Sequence, residues 1–538
     1  MLVAGVVEEL ALPAVGMLTR TNPMRTRLLP LYGALLSAFA CAPEHGALAN
    51  RMARAGTHYL TDAAGEPVSW QPWGMNAFHT AARLDRPVLL YIGGDDCSRC
   101  ALMDRETYGD PVLGALIDSL FVPVRVDRDE RPDVAERYQT AVQLLTGLRG
   151  YPLTVFLMPD GSAFFGGTYF PADDPITGRG MRQILPDVAR SYKAERTFIL
   201  HQATLVRQLA YTHDAGSRGV LEPSTIEHDV AEVRADLVTA QRDRFTLASF
   251  RYMQAAGLLL AAFVHDGDTT DLQVARGVLD WVADSGERVA RSGERDGSPG
   301  VLRAAMLRNL ATGWSLTGDV HYRAAARTLA VSLERGLADT TQRIVFADRE
   351  AYVIGSLLEA AAGVGDSVAA RAGVRALDAL LARAYTSDRG VRHTAAWPPP
   401  GGPGTAPLLL QDQIQTASAC LAAYNTTGIP RYLALAVDLM STIDHAFADP
   451  LGGYYDASGV EPAAPAVADR TKQVSDDVLP GANAAVARVL LQLADATGDA
   501  NYRRRAEATL EAFAGAASQE GMQVSNYLTV ALAVIPAR

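Results

Sequence analysis

The sequence predicts a multidomain chain in which a small α/β domain precedes an all-α domain of helical hairpins, arranged as an (α/α) toroid. Three observations lead to this prediction. The chain has 538 residues, which is more than one hydrophobic core normally supports. Short strand-like apolar runs concentrate between residues 87 and 170, whereas alanine, leucine and arginine recur at helical spacing from about Gly180 onward. The predicted boundaries are a targeting segment at 1–45, the α/β domain at 46–205, a helical linker at 206–245 and the toroid-like domain at 246–538.

Composition excludes several classes of protein. Apolar residues make up 49% and charged residues 20%, which is typical of a folded globular chain. The balance of 49 basic against 60 acidic residues gives a net charge of −11, which argues against a nucleic-acid partner because phosphate binding needs excess Lys and Arg. Four cysteines are too few for a disulfide scaffold, and no uncharged apolar run reaches the length of a transmembrane span.

The N-terminal segment has the residue order of a secretory signal. Arg25 and Arg27 lead an apolar stretch over 28–42, which contains Ala-Phe-Ala and then Cys41. A cysteine at that point is a candidate lipid-attachment site, although an ordinary apolar helix would also fit. We expect an exported protein that starts at Met24 and is periplasmic or lipid-anchored, with a cytoplasmic location as the alternative.

Four short runs in the α/β part are predicted strands, because each is rich in β-branched or aromatic residues. They cover 87–92, 121–126, 153–158 and 163–165. Helical stretches near 100–118 and 131–146 separate the first three, so the order is β-α-β and the helices cover a small sheet. Asp160 and Gly161 predict a hairpin turn between the last two strands.

The helical half contains a weak repeat. Each copy is an amphipathic helix that ends at glycine, where the left-handed conformation costs little, and a new helix begins almost at once. The glycines are Gly318, Gly365, Gly428 and Gly498. Repeated helix pairs either stack into an open solenoid or close into a toroid. The irregular spacing favours the closed toroid.

The strongest chemical signal is the pair Cys97 and Cys100, separated by Ser-Arg. The motif follows a strand and opens a helix, so Cys97 lies where free N–H groups and the helix dipole stabilise a thiolate. Arg99 adds a positive charge, and Cys100, one turn further on, is placed to resolve a mixed disulfide. Half a zinc site and a reduced structural pair are the alternatives. No second CxxC or nearby His completes a metal site, and no metal or cofactor is predicted.

Tyr151 and Pro152 precede the third predicted strand. A cis-proline at this place can face a dithiol and offer backbone hydrogen bonds to an extended peptide. With Arg99, these two residues are the predicted substrate-binding residues. The predicted partners are therefore protein thiols or disulfides.

Residues 50–186 resemble the thioredoxin-like domain of the spermatogenesis-associated protein 20 family. The longest matching runs are Val126 to Asp133 and Pro152 to Pro171, together with the two cysteines. The resemblance implies an N-terminal thioredoxin-like α/β domain followed by an all-α (α/α) toroid similar to six-hairpin glycosidases and sugar epimerases. The segments at 410–412 and 470–483 support the toroid.

The resemblance also suggests further site residues. Glu106 and Asp127 match family positions near the dithiol and are candidate proton relays for Cys100, with ordinary surface carboxylates as the alternative. Asp412 and Asn483 are candidate residues of a toroid cleft that would take a carbohydrate ligand, but a cap or a buried hydrogen bond explains each equally well.

Departures from the family leave two functions open. The family dithiol is usually Cys-His-Trp-Cys followed by His. Here Ser98, Arg99 and Ala101 replace the first histidine, the tryptophan and the last histidine, and Val301 to Ala304 replace a His-Phe-Glu-Lys stretch. The first reading is a thiol–disulfide oxidoreductase whose helical domain recruits or positions the substrate. The second is a carbohydrate-binding or sugar-isomerising toroid with a vestigial redox domain. The retained cysteines and proline favour the first.

Overall fold

The computed structural model describes residues 48–214, 218–242, 247, 249–292, 299–338, 345–394, 407–459 and 470–537. These residues belong to one compact unit. The expected targeting segment at 1–45, including Cys41, lies outside them. No helix in the described part of the chain combines the length and apolar character needed to cross a membrane.

The α/β part is built on a five-stranded mixed sheet with the strand order β1-β3-β2-β4-β5. The strands are β1 (Gln71–Pro72), β2 (Val88–Gly93), β3 (Val122–Asp127), β4 (Leu153–Leu157) and β5 (Ala163–Gly167). β2 runs parallel to β3 and antiparallel to β4, and β4 and β5 form the predicted hairpin, with Gly161 at a φ of 89°. The four predicted strands are confirmed. β1 has only two residues and no strand signal in its sequence, so it was missed.

Seven helices surround this sheet in the described residues. They are α1 (His58–Asp62), α2 (Met75–Leu84), α3 (Ser98–Met103), α4 (Pro111–Leu120), α5 (Pro132–Thr146), α6 (Met181–Ala194) and α7 (Arg196–Asp214). The helix predicted over 100–118 is divided, because a π-helical turn at Asp104–Tyr108 follows α3. Asp110 then caps α4, because its carboxylate accepts hydrogen bonds from the backbone N–H groups of Val112 and Leu113.

The central strand β2 is buried along its whole length because the sheet has a hydrophobic core on each face. Leu89 and Tyr91 pack into the core that contains both cysteines. Val88, Leu90 and Ile92 pack into the opposite core, beneath α2 and α5. The apolar run at 87–92 therefore belongs to a strand covered on both sides.

The rest of the chain is helical apart from one small hairpin in the described residues. Its elements are α8 (Pro223–Ala240), α9 (Phe250–Asp266), α10 (Thr269–Ser292), α11 (Pro299–Thr317), α12 (Val320–Ala338), α13 (Ala347–Val364), α14 (Ser367–Ala384), β6 (Tyr385–Thr386), β7 (Gly390–Val391), α15 (Leu410–Thr427), α16 (Pro430–Ala446), α17 (Ala482–Thr497), α18 (Ala500–Glu511), α19 (Ala514–Ala517) and α20 (Ser525–Leu532).

Six of these helices form a closed inner ring. α9, α11, α13, α15, α17 and α20 each pack against the next, and α20 packs back against α9. The helices α10, α12, α14, α16 and α18 lie outside this ring, each against its preceding inner helix, and α8 packs against both α9 and α20. This closure confirms the predicted (α/α) toroid. Within the predicted linker at 206–245, α8 therefore forms part of the outer layer.

The repeated glycines end the inner helices as predicted. Gly318, Gly365, Gly428 and Gly498 follow α11, α13, α15 and α17 with φ values of 70°, 66°, 68° and 74°. Residues other than glycine rarely adopt this backbone conformation, which lets the chain reverse directly into the next outer helix. The feature that recurs in the sequence is thus the glycine that ends each of these inner helices.

Candidate redox site

Cys97 and Cys100 form a disulfide at the start of α3. Cys97 is the N-cap residue of the helix, and the backbone N–H of Cys100 donates to Cys97 Sγ at 3.1 Å. Cys97 is 6% exposed, whereas Cys100 is fully buried. Cys97 is therefore the more accessible of the two cysteines, and the Cys100 N–H donates to the sulfur atom that would carry the charge of a Cys97 thiolate.

The space beneath the disulfide is shared by Tyr59 and the end of β2. A Cβ atom on Gly93 would overlap the Tyr59 hydroxyl and lie 3.0 Å from Cys100 Sγ. The Tyr59 hydroxyl is buried, and its pKa is raised well above the ordinary value, chiefly by burial. Glycine at position 93 is therefore what leaves room for the Tyr59 hydroxyl next to Cys100.

Asp127 lies at the same end of the sheet. It is the register partner of Gly93 in the parallel pair of β2 and β3, and paired residues of parallel strands project to the same face. Its carboxyl group thus points to the side occupied by Tyr59 and Cys100, and it is only 3% exposed. Burial, reinforced by the nearby Asp129, raises the pKa of Asp127 to about 7. A carboxyl group with that pKa can both give and take a proton near neutral pH.

The second predicted relay, Glu106, has a different environment. It lies on the π-helical turn with its side chain 53% exposed, at 4.0 Å from Arg105. Arg99 is also exposed. Both charges act on Tyr169, whose pKa is raised by burial and then by Glu106, and lowered by Arg99. Glu106 and Arg99 therefore belong to the surface around the dithiol, and Asp127 to its interior.

Tyr151 and Pro152 are joined by a cis peptide bond. Because Leu153 pairs with Ile92 in the antiparallel ladder, Pro152 lies at the sheet end where β2 leads to the dithiol. The Tyr151 ring packs against the core that contains both cysteines. Tyr151 and Pro152 thus lie at the same end of the sheet as the dithiol.

A buried arginine beneath this region was missed by sequence reasoning. Arg125 of β3 is 2% exposed and pairs with Glu66 at 3.0 Å and with Asp104 at 2.8 Å. Its guanidinium group also lies 4.1 Å from the ring centroid of Tyr59 and 5.1 Å from that of Tyr91. A charged residue inside the otherwise apolar run Val-Pro-Val-Arg-Val was the available signal. Arg125 fixes the position of two tyrosines next to the cysteines.

The loop that carries the dithiol is connected to the loop after β3 by an ion pair. Arg128 pairs with Asp96, which directly precedes Cys97, and its Nε lies 3.5 Å from Asp129. The Arg128 guanidinium group also lies over the Tyr151 ring, 4.8 Å from its centroid. One arginine therefore contacts residues on both sides of the predicted peptide-binding edge.

The same loop contacts the helical ring. Arg349 of α13 pairs with Asp129 at 2.5 Å, and the Asp129 carbonyl accepts a hydrogen bond from His393 Nε2 at 2.8 Å. His393 Nδ1 lies 2.9 Å from Asp412. Burial lowers the pKa of His393, but the carboxylates of Asp412 and Asp348 outweigh this effect and raise it to about 10, so the imidazole is protonated at neutral pH.

Asp348, His393 and Asp412 are the one group of three or more His, Cys, Asp or Glu residues in the described part of the chain whose potential metal-binding atoms lie within 4.8 Å of one another. Both ring nitrogens of His393 are engaged by protein oxygens: Nδ1 by the Asp412 carboxylate within the helical part, and Nε2 by the Asp129 backbone carbonyl of the α/β part. This is the arrangement of a buried ion pair that also hydrogen-bonds across to the α/β part. The sequence contained no spacing signal for it, because His393 and Asp412 meet only through the fold.

The two predicted cleft residues have partners within the protein. Asp412, at the start of α15, also accepts the backbone N–H of Asp348 at 3.0 Å. Asn483 accepts the backbone N–H of Tyr454 at 2.7 Å and donates to the carbonyl groups of Tyr454 and Gln473 at 2.9 and 3.0 Å. These contacts place Asp412 at the junction with the α/β part and Asn483 against two loop segments.

Together, the sheet, the dithiol at a helix start and the adjacent cis-proline define a thioredoxin-like domain, here followed by a closed helical ring. Residues 49–210 match a family model described as Thioredox_DsbH, protein of unknown function, DUF255. The chain is 34% identical over 203 residues to spermatogenesis-associated protein 20 of Rattus norvegicus, and 37% identical over 157 residues to that of Homo sapiens. These matches confirm the predicted resemblance to the spermatogenesis-associated protein 20 family.

The matched stretches are 38% and 29% of this chain and span only 24% and 20% of the rat and human proteins. Among solved structures, an unsaturated glucuronyl hydrolase specific for heparin aligns with 58% of this chain and 97% of its own, at 13% identity and a TM-score of 0.45. An α-1,6-mannanase from Salegentibacter sp. HEL1_6 aligns with 56% of this chain and 98% of its own, at 13% identity and a TM-score of 0.40. The ring closure itself is established by the helix packing of this chain.

Proposed function

We propose that this protein is a thiol–disulfide oxidoreductase that uses Cys97 and Cys100, and that its helical ring positions the protein substrate. One observation carries the proposal: a disulfide at a helix start leaves Cys97 slightly exposed and Cys100 fully buried, on the face of the sheet that also carries Asp127, a buried carboxyl group whose pKa is about 7. A purely structural disulfide needs no buried acid of this kind beside it.

The exchange would proceed through Cys97. A partner thiolate attacks Cys97 Sγ, the Cys97–Cys100 bond breaks, and the Cys100 thiolate takes a proton from Asp127. A second partner thiolate then attacks the mixed disulfide at the partner's sulfur, which releases oxidised partner and reduced protein. In the opposite direction, Asp127 takes the proton from Cys100 as that thiol resolves a mixed disulfide on Cys97.

The helical ring has a positioning role in this proposal. One of its contacts with the α/β part is made at Asp129, which is connected through Arg128 to Asp96 beside Cys97. A partner seated against the ring would therefore approach a dithiol loop whose position the ring itself fixes.

Mixed-disulfide trapping tests the proposal. In the Cys100→Ser variant the attack by Cys97 survives and the resolving step is lost, so disulfide-linked partners should accumulate. Cys97→Ser is the matched control and should trap none. Deleting the helical ring should change the identity of the trapped partners, whereas mixed disulfides should still form.

Two outcomes would contradict the proposal. One is equal trapping by the two single variants. The other is sugar turnover by the full-length protein that persists when both cysteines are replaced by serine, because that result would move the activity to the ring.

A further inference from the structure

A cavity of about 610 Å³ lies inside the helical ring. It is lined by residues of α9, α11, α13, α17 and α20 and by the segment after α20. Val264, near the end of α9, lines it and is 65% exposed, so the cavity opens at that end of the ring. Its volume is within the range of small-molecule binding sites.

Two arginines line the cavity, and in the described residues only one of them has an ion-pair partner. Arg308 of α11 pairs with Glu359 at 3.1 Å. Arg488 of α17 donates to the side-chain oxygen of Asn526, and it forms an ion pair with no carboxylate in the described part of the chain. Glu359 and Asp476 act on Arg488 only through their fields. Glu359 is paired with Arg308, and Asp476 accepts hydrogen bonds from the backbone N–H groups of Gly481 and Asn526 at 2.8 and 2.9 Å.

The electrostatic state of Arg488 points the same way as its contacts. Burial and then repulsion by Arg308 lower the pKa of Arg488 to about 10. Its guanidinium group is still charged at neutral pH, but the protein disfavours that charge. Buried charges in folded proteins are normally paired, so this cavity lacks one negative charge.

The remaining walls are mixed in character. The Gln254 amide donates to the Tyr352 hydroxyl at 3.4 Å, and both side chains line the cavity. Leu260, Leu532 and Ile535 add apolar surface. A ligand with one charged end and a larger uncharged body therefore suits the cavity.

We infer that this cavity binds a small organic monocarboxylate, with its carboxylate between Arg488 and Arg308 and its body against the walls formed by α9 and α20. Arginine binds a carboxylate through two parallel hydrogen bonds, which favours that group at this place. Because Glu359 already offsets the charge of Arg308, a ligand with one negative charge balances the charge of Arg488. A phosphate dianion would leave one negative charge in excess. The inference is independent of the redox chemistry, since the cavity contains no residue of the dithiol site.

Calorimetric titration tests the inference, using full-length protein in which both Cys97 and Cys100 are replaced by serine. The probes are sodium glucuronate and sodium hexanoate as monocarboxylates, glucose as the neutral counterpart of glucuronate, and inorganic phosphate. At least one monocarboxylate should bind, with glucose and phosphate at least about tenfold weaker. Absence of binding by both carboxylates, or equal binding of phosphate or glucose, would overturn the inference.

Two variants locate the binding in the cavity. Arg488→Gln should weaken carboxylate binding about tenfold or more, because it removes a charged hydrogen-bond donor. Val264→Trp should also weaken it by narrowing the opening, and its exposed position keeps the test valid where Arg488→Gln fails to fold. Val331→Trp, at an exposed position on α12 that does not line the cavity, is the control and should bind as the parent does. Carboxylate binding that is unchanged in the Val264 variant would place the ligand elsewhere and refute the inference.

Discussion

Arg349 and Asp129 lie 2.5 Å apart, although 220 positions separate them in the sequence. The pair joins the helical ring to the loop after β3, and both side chains are largely buried. Asp129 also contacts Arg128, which pairs with Asp96 next to Cys97. Ring and dithiol are therefore joined by one short series of charged contacts.

This relationship predicts a large cost for removing one partner. Arg349→Met leaves the Asp129 carboxylate buried without its main cation, which should lower the free energy of unfolding by about 3 kcal/mol. Arg431→Met is the matched control, because Arg431 and Asp378 form an exposed pair whose loss should cost less than about 1 kcal/mol. Urea unfolding measures both changes. Equal effects of the two substitutions would show that the interdomain pair contributes no more than a surface contact.

A second prediction concerns the reactivity of the reduced cysteines. Cys97 should react with iodoacetamide before Cys100, because it alone is partly exposed and lies at the helix start. Cys420 should react last, since it is fully buried and burial raises the pKa of its thiol to about 12. Mass spectrometry after timed alkylation gives the order. Earlier modification of Cys100 would contradict the assignment of Cys97 as the nucleophile.

Asp127 predicts a pH dependence for the resolving step. Its pKa of about 7 means that the carboxylate, which takes the proton from Cys100, predominates only above that pH. The rate of resolution of a mixed disulfide on Cys97 should therefore rise as pH increases through about 7. Asp127→Asn should remove this inflection and slow the step by roughly 10²-fold.

Rapid mixing of the reduced protein with an aromatic disulfide measures this step after the initial attack. Glu106→Gln is the control, because its exposed carboxylate lies on the surface around the dithiol. A profile that is altered by Glu106→Gln and unchanged by Asp127→Asn would reverse the assignment of the proton relay.

Much of the fold was predictable, because its signals are local. The strand at 87–92 is a continuous apolar run, and Gly318 and its counterparts mark helix ends through a backbone conformation that glycine adopts at low cost. The site was only partly predictable. Cys97 and Pro152 belong to short motifs, whereas His393 and Arg349 reach Asp129 only after the ring has closed. Contacts of that kind leave no periodic pattern in the sequence.

The last prediction concerns Gly93, next to which the Tyr59 hydroxyl lies close to the dithiol. Its φ is not in the left-handed region, so Gly93→Ala adds only steric cost: the new Cβ would overlap the Tyr59 hydroxyl and lie 3.0 Å from Cys100 Sγ. Overpacking of this size should lower the free energy of unfolding by about 1–3 kcal/mol. Adding Tyr59→Phe removes the oxygen that the Cβ would meet, so the double variant should recover part of the loss.

A double-mutant cycle in urea measures this coupling, and the reduction potential against glutathione shows whether the same contact affects the dithiol. Gly65→Ala is the control, because a Cβ there would meet no atom within 4 Å. Additive costs in the cycle would mean that the Tyr59 hydroxyl does not fill the space beside Gly93 in solution, and the proposed arrangement beneath Cys100 would then be wrong.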